Sequence, residues 1–124
     1  VMAPGCHGST YGSNPLAMAV GNAVLDVMFA PGFMENVRAR GQELKTRLEA
    51  LQPQTNGKVT AVRGLGLMLG LEVPMQSYAI VNALRQEGLI VVAAGDSVIR
   101  ILPPLIITSA HVDEAMTIFT KVLT

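Results

Sequence analysis

A chain of 124 residues is long enough for one domain with a core and too short for two full ones. Nine basic residues balance nine acidic ones, and no run of Lys or Arg could track a phosphate backbone, which argues against a nucleic-acid partner. Charged residues make up 15% of the chain, against roughly 25% in an average soluble domain, while half the residues are hydrophobic. Much of the apolar surface is therefore expected to be covered by another domain or subunit. With no uninterrupted apolar run of about 18 residues and no basic n-region ahead of an apolar core, the chain is expected to be soluble and cytoplasmic. The single cysteine, Cys6, cannot close an internal disulfide, and no Cys/His spacing suggests a metal site.

In chain order, the first element is a helix opened by Asn14-Pro15. The Asn side chain can accept from an early backbone N–H, and Pro sits where a missing N–H costs nothing. Leu16, Val20, Val24 and Val27 or Met28 recur at helical spacing until Ala30-Pro31-Gly32 ends the helix. Gly21, inside it, is expected to mark close packing against another backbone. A second helix, about Met34 to Leu51, gathers Val37, Gly41, Leu44, Leu48 and Leu51 on one side, with Glu43 and Arg47 as a favourable pair.

After the Asn56-Gly57 turn, "KVTAVRGLGLMLGLEV" predicts two antiparallel strands or one bulged ribbon around Gly64 and Gly66. Met75 to Glu87 predicts a helix with Gly88 as its C-cap. "LIVVAAGDSVIRILPPLII" predicts a strand, a turn and a second strand that ends before Pro103-Pro104. Thr108 or Ser109 should cap a last helix with Asp113 and Glu114 in its first turn and Val112, Met116, Phe119 and Leu123 on its buried side. The order predicts an α+β fold, a small, mostly antiparallel sheet with helices on one face.

Three features could carry chemistry. "HGSTYGSNP" places Ser9, Thr10, Ser13 and backbone N–H groups at a helix start, donors suited to a phosphate, although a Gly/Ser turn leading into a capped helix has the same composition. Arg100, in "SVIRILPPLII", lies on a largely apolar strand; it either pairs with Asp96 or Glu72, stands in solvent, or presents a planar fork to a substrate carboxylate. Arg63 precedes "GLGLMLG" and is expected to be structural; no helix or ribose-binding acid follows those glycines at the right place, which excludes a dinucleotide fingerprint. His7 fits a polar loop position, His111 a solvated first turn, and the seven methionines core filling.

Taken together, "HGSTYGSNPLA" (7–17), "VRGLGLMLGLE" (62–72) and "AAGDSVIRILPPLIIT" (93–108) resemble, in this order, the C-terminal part of class III pyridoxal-phosphate aminotransferases. The resemblance spans nearly all of the chain. It implies the C-terminal small domain of a fold-type-I transferase at 31–124, preceded by the last loop and helix of the large domain at 1–30. It also implies transfer of an amino group from N-acetylornithine, or a related ω-amino donor, to 2-oxoglutarate, as in arginine biosynthesis, by a homodimer.

The resemblance carries over residue by residue. Thr10 would reach the phosphate of the neighbouring subunit's pyridoxal phosphate, Ser9 would lie beside the substrate, and Arg100 would hold a substrate carboxylate. The family's imine-forming lysine, its aspartate on the pyridine nitrogen and its stacking aromatics lie upstream of the His-Gly-Ser-Thr block. None of Lys45, Lys58 and Lys121 matches that lysine, so no catalytic residue is assigned and the chain alone is expected to be inactive. Ser13 stands where the family pattern commonly has glycine. A non-catalytic small-molecule-sensing or dimerisation module is the rival reading; in it, Arg100 makes an internal salt bridge and the Ser/Thr loop is only a cap. A structural remnant without activity is a third.

Overall fold

The computed structural model describes residues 8–74 and 76–124. Cys6 and His7 lie outside the described residues, as does Met75, where the third helix was predicted to begin. The chain divides between Met34 and Glu35 into two compact units.

The first unit holds helix α1, Pro15–Met28. Its start is set by Asn14, whose backbone is extended (φ −69°, ψ 153°) and whose Oδ1 accepts from the Ala17 N–H at 2.9 Å. The same side chain turns its Nδ2 to the Tyr11 carbonyl at 2.6 Å, so one residue fixes both the cap and the preceding turn. At the far end Phe29 N–H closes on Leu25 O at 2.9 Å, and Gly32, at φ 87°, takes the chain out of helical geometry. No residue of α1 is buried; its stripe of Leu16, Val20, Val24 and Val27 stands exposed. Among the described residues nothing lies within 4 Å of where a Cβ would stand at Gly21.

The second unit begins with most of helix α2, Phe33–Leu51, and a 3-10 turn, Gln52–Thr55. Strands β1, Ala61–Leu65, and β2, Met68–Glu72, follow, then helix α3, Ser77–Gln86. Strands β3, Val92–Ala93, and β4, Val98–Ile101, precede helix α4, Ser109–Leu123. The four strands form one antiparallel sheet in the order β1-β2-β4-β3. The fold is the α+β arrangement expected, with its helices on one face.

Alternation along β2 and β4 decides that arrangement. Leu69, Leu71, Ile99 and Ile101 point to the covered face and are buried with Leu44, Leu48 and Leu51 of α2, Val81 and Leu84 of α3, and Val112, Met116, Phe119 and Leu123 of α4. These form one cluster, and the buried residues of α2 and α4 are those that helical spacing selected. Gly41 belongs to that stripe for a different reason: a Cβ there would stand 2.6 Å from the backbone carbon and oxygen of Gly66, so only glycine lets α2 lie against the β1–β2 turn.

Two local expectations are corrected. Thr108 is the N-cap of α4, which places Asp113 and Glu114 beyond the first turn; His111, at the third helical position, accepts there from the Thr108 N–H through Nδ1 at 3.0 Å and completes a capping box. The last residue of α3 is capped at Glu87, with Gly88 (φ 92°) the left-handed residue that follows it.

Candidate active-site elements

Ser9 and Thr10 lie in the turn before α1 and are exposed. The turn closes through Gly12 N–H to Ser9 O at 3.2 Å, and Ser13 takes φ 56°, the left-handed region in which glycine is at ease. The serine at 13 thus keeps a glycine-like backbone. Two hydroxyls and a helix N-terminus form a donor set of the right chemistry for a phosphate.

Arg100 belongs to the second unit. It sits on β4 between the buried Ile99 and Ile101, so alternation turns it to the open face of the sheet, where it is exposed. Register places Gly70 opposite it on β2 and Val92 opposite it on β3. Gly70 is also opposite Arg63 on β1, giving a row Arg63, Gly70, Arg100, Val92 across all four strands. The two arginines flank a residue without a side chain.

Neither carboxylate considered for Arg100 is bonded to it. Glu72 accepts instead from Arg63 Nε at 2.9 Å, and among the described residues Arg100 takes part in no ion pair. The internal salt bridge expected under the rival module reading is therefore made by the other arginine. Arg63, expected to be structural, has Glu72 as its ion-pair partner.

Ser77 carried no signal in the sequence. It is fully buried, its Oγ donates to Gly95 O at 2.7 Å and its N–H to Asp96 O at 3.2 Å, so α3 holds the β3–β4 turn that leads into Arg100. A serine in "MQSYAI" is indistinguishable from a helix cap until the hairpin is seen beside it. Glu43, anticipated as a partner of Arg47, pairs more closely with Arg40 at 2.6 Å and accepts from Ser109 Oγ at 2.6 Å, joining α2 to the start of α4.

A cavity of about 330 Å³ in this unit is lined by Leu89, Ile101, Pro104, Ile107 and Phe119, with His111 and Glu114 as its ionisable groups and no Arg or Lys. It offers a carboxylate no guanidinium or ammonium. The lysines are committed elsewhere: Lys45 to Glu49 at 4.0 Å, Lys121 to Glu87, and Lys58 Nζ to the Val122 carbonyl at 3.4 Å. Among the described residues no cluster of His, Cys, Asp or Glu could hold a metal ion, and no single helix is long and apolar enough to cross a membrane.

The family model of class III aminotransferases matches residues 1–123. This chain belongs to that family. The acetylornithine aminotransferase of Brucella melitensis is 49% identical to it over 115 residues, which cover 93% of this chain and 28% of that enzyme. The lysine aminotransferase from M. tuberculosis superposes with a TM-score of 0.86 at 30% identity, over 97% of this chain and 28% of that one. The acetylornithine aminotransferase from Elizabethkingia anophelis gives 0.85 at 32% identity, over 98% and 33%. The chain thus spans about a third or less of the aminotransferases it matches. Dependence on pyridoxal phosphate goes with this class of aminotransferases.

Proposed function

We propose that the chain is the C-terminal portion of an aminotransferase that passes an amino group from N-acetylornithine, or a related ω-amino donor, to 2-oxoglutarate in arginine biosynthesis. On this reading residues 1–30 end the large domain and 31–124 form the small domain of a cytoplasmic homodimer. Thr10 donates to the phosphate of the cofactor held by the neighbouring subunit, Ser9 lies beside the substrate, and Arg100 binds a substrate carboxylate through its planar fork. Pyridoxal phosphate, when bound, supplies the carbonyl and the electron sink for amino transfer. Everything this chain contributes is binding and orientation, and alone it turns nothing over.

The observation that carries the reading is Arg100 on the open face of the sheet, without a carboxylate partner among the described residues and bordered by apolar side chains at Val92 and Val98. A guanidinium so placed has five donors to offer. The test is a chimera in which this chain replaces the corresponding part of the Brucella melitensis enzyme. Turnover of N-acetylornithine with 2-oxoglutarate is expected, and Arg100→Ala should raise KM for the carboxylate substrates about ten- to a hundredfold, the worth of a charge-assisted hydrogen bond. A chimera that folds and retains the cofactor, yet is indifferent to Arg100→Ala, would refute the assignment. The chain by itself, mixed with pyridoxal phosphate and freed of excess, should retain no visible cofactor absorption.

A further inference from the structure

Glu72 occupies a place from which it could serve either arginine. It is paired in register with Ala61 on β1 and with Val98 on β4, so Arg63 and Arg100 are each two residues along from its direct neighbours. Diagonal positions of that kind on one face of an antiparallel sheet lie about 7–8 Å apart, within reach of long side chains. Gly70, between the two arginines, carries no side chain of its own, and what borders the position is Val98 Cγ1, 3.3 Å from where a Cβ would stand. Glu72 nevertheless goes to Arg63, whose Nε donates to its Oε1 at 2.9 Å, and Arg100 is left without an ion pair among the described residues.

We propose that Arg63 is a positioning residue for carboxylate binding: by holding Glu72 it keeps an internal competitor away from Arg100. The inference rests on the reading of Arg100 as a carboxylate receptor. Loss of Arg63 would free Glu72 to swing past Val98, over the residue that has no side chain of its own, and occupy the Arg100 fork, which an incoming carboxylate would then have to displace. Both partners of the present pair are partly exposed, 64% for Arg63 and 36% for Glu72, so the competing pair has the strength of a surface ion pair. That strength corresponds to about a two- to fivefold loss in carboxylate affinity. A loss of tenfold or more would point to damage of Arg100 itself.

The experiment follows the arginine Nε–Hε signals of the isotope-labelled 124-residue chain, assigned with Arg63→Lys and Arg100→Lys, during titration with glutarate. In the natural sequence glutarate should move the Arg100 signal. In Arg63→Ala that signal should shift before any ligand is added, and the apparent Kd for glutarate should rise about two- to fivefold. Arg63→Ala with Glu72→Gln should return both to their starting values, and Arg63→Lys, which keeps the cation beside Glu72, should stay close to them. An Arg100 signal and affinity unchanged by Arg63→Ala, or not restored by Glu72→Gln, would overturn the proposal. Should glutarate leave Arg100 unmoved in every variant, the carboxylate reading fails instead, and the ligand-free shift in Arg63→Ala still decides whether Glu72 changes partner.

Discussion

Two glycines on successive helices of the chain should respond to alanine with opposite signs. At Gly41 of α2 a Cβ would lie 2.6 Å from Gly66 C and O and 2.9 Å from its Cα, whereas ordinary contact begins near 3.4 Å. The atoms met are backbone on both sides, so α2 and the β1–β2 turn must separate by about 0.8 Å, the difference between those distances. Overpacking of this kind costs about 1–3 kcal/mol, against a gain of about 0.8–1.0 kcal/mol for replacing glycine within a helix. The net is a loss of about 1 kcal/mol, which in a unit of this size lowers Tm by about 4–8 °C. Gly21 of α1, with open space around it, should show only the helix gain of about 1 kcal/mol. Thermal and urea unfolding of Gly41→Ala would check the first, and far-ultraviolet circular dichroism of Gly21→Ala the second. A Gly41→Ala chain as stable as the parent, or more so, would refute the close approach of α2 to Gly66.

Three further outcomes are expected. Ser77→Ala removes the Oγ bond to Gly95 O and should cost about 1 kcal/mol in urea unfolding, with faster amide exchange in the 94–97 turn. Phe119→Ala empties the centre of the core, where the ring is fully buried, and should cost about 3–5 kcal/mol, which calorimetry would read as a large fall in Tm. Ser13→Gly relieves a left-handed serine and should stabilise the turn before α1 by about 1 kcal/mol, seen as slower amide exchange around Gly12.

The covered side of the sheet was legible because periodicity reports burial directly. Val37, Gly41, Leu44, Leu48 and Leu51 recur at helical spacing, and Val112, Met116, Phe119 and Leu123 do the same; all nine are buried. Gly41 was selected with its stripe, but the backbone it accommodates was not, since Gly66 lies 25 residues away in the chain and is brought there only by the turn between β1 and β2. The extent of β3 was also beyond pattern: "LIVVAA" is apolar throughout, yet only Val92 and Ala93 pair with β4. Asp113 and Glu114 were placed one turn too early because His111, a residue of low capping rank, supplies the second half of the capping box and fixes Thr108 as the start.

The open side of the sheet shows why residue type alone could not separate the readings of Arg100. Sequence offers Asp96 or Glu72 to Arg100 and names no partner for Arg63; only the register brings Arg63, Glu72 and Arg100 to one face. The choice is made by register, in which Gly70 stands opposite both arginines, and by the 2.9 Å bond from Arg63. An isolated arginine in an apolar strand is neutral between structure and binding. Here Glu72 is engaged by a second arginine, Arg100 makes no ion pair among the described residues, and it stands exposed on a face that also shows Leu65, Met68 and Val92; under the proposed function an incoming anion is its partner. The same pairing makes the claim vulnerable at one atom pair: if Arg63 and Glu72 part without consequence at Arg100, the sheet face is an apolar surface with two solvated cations and the carboxylate must be sought elsewhere.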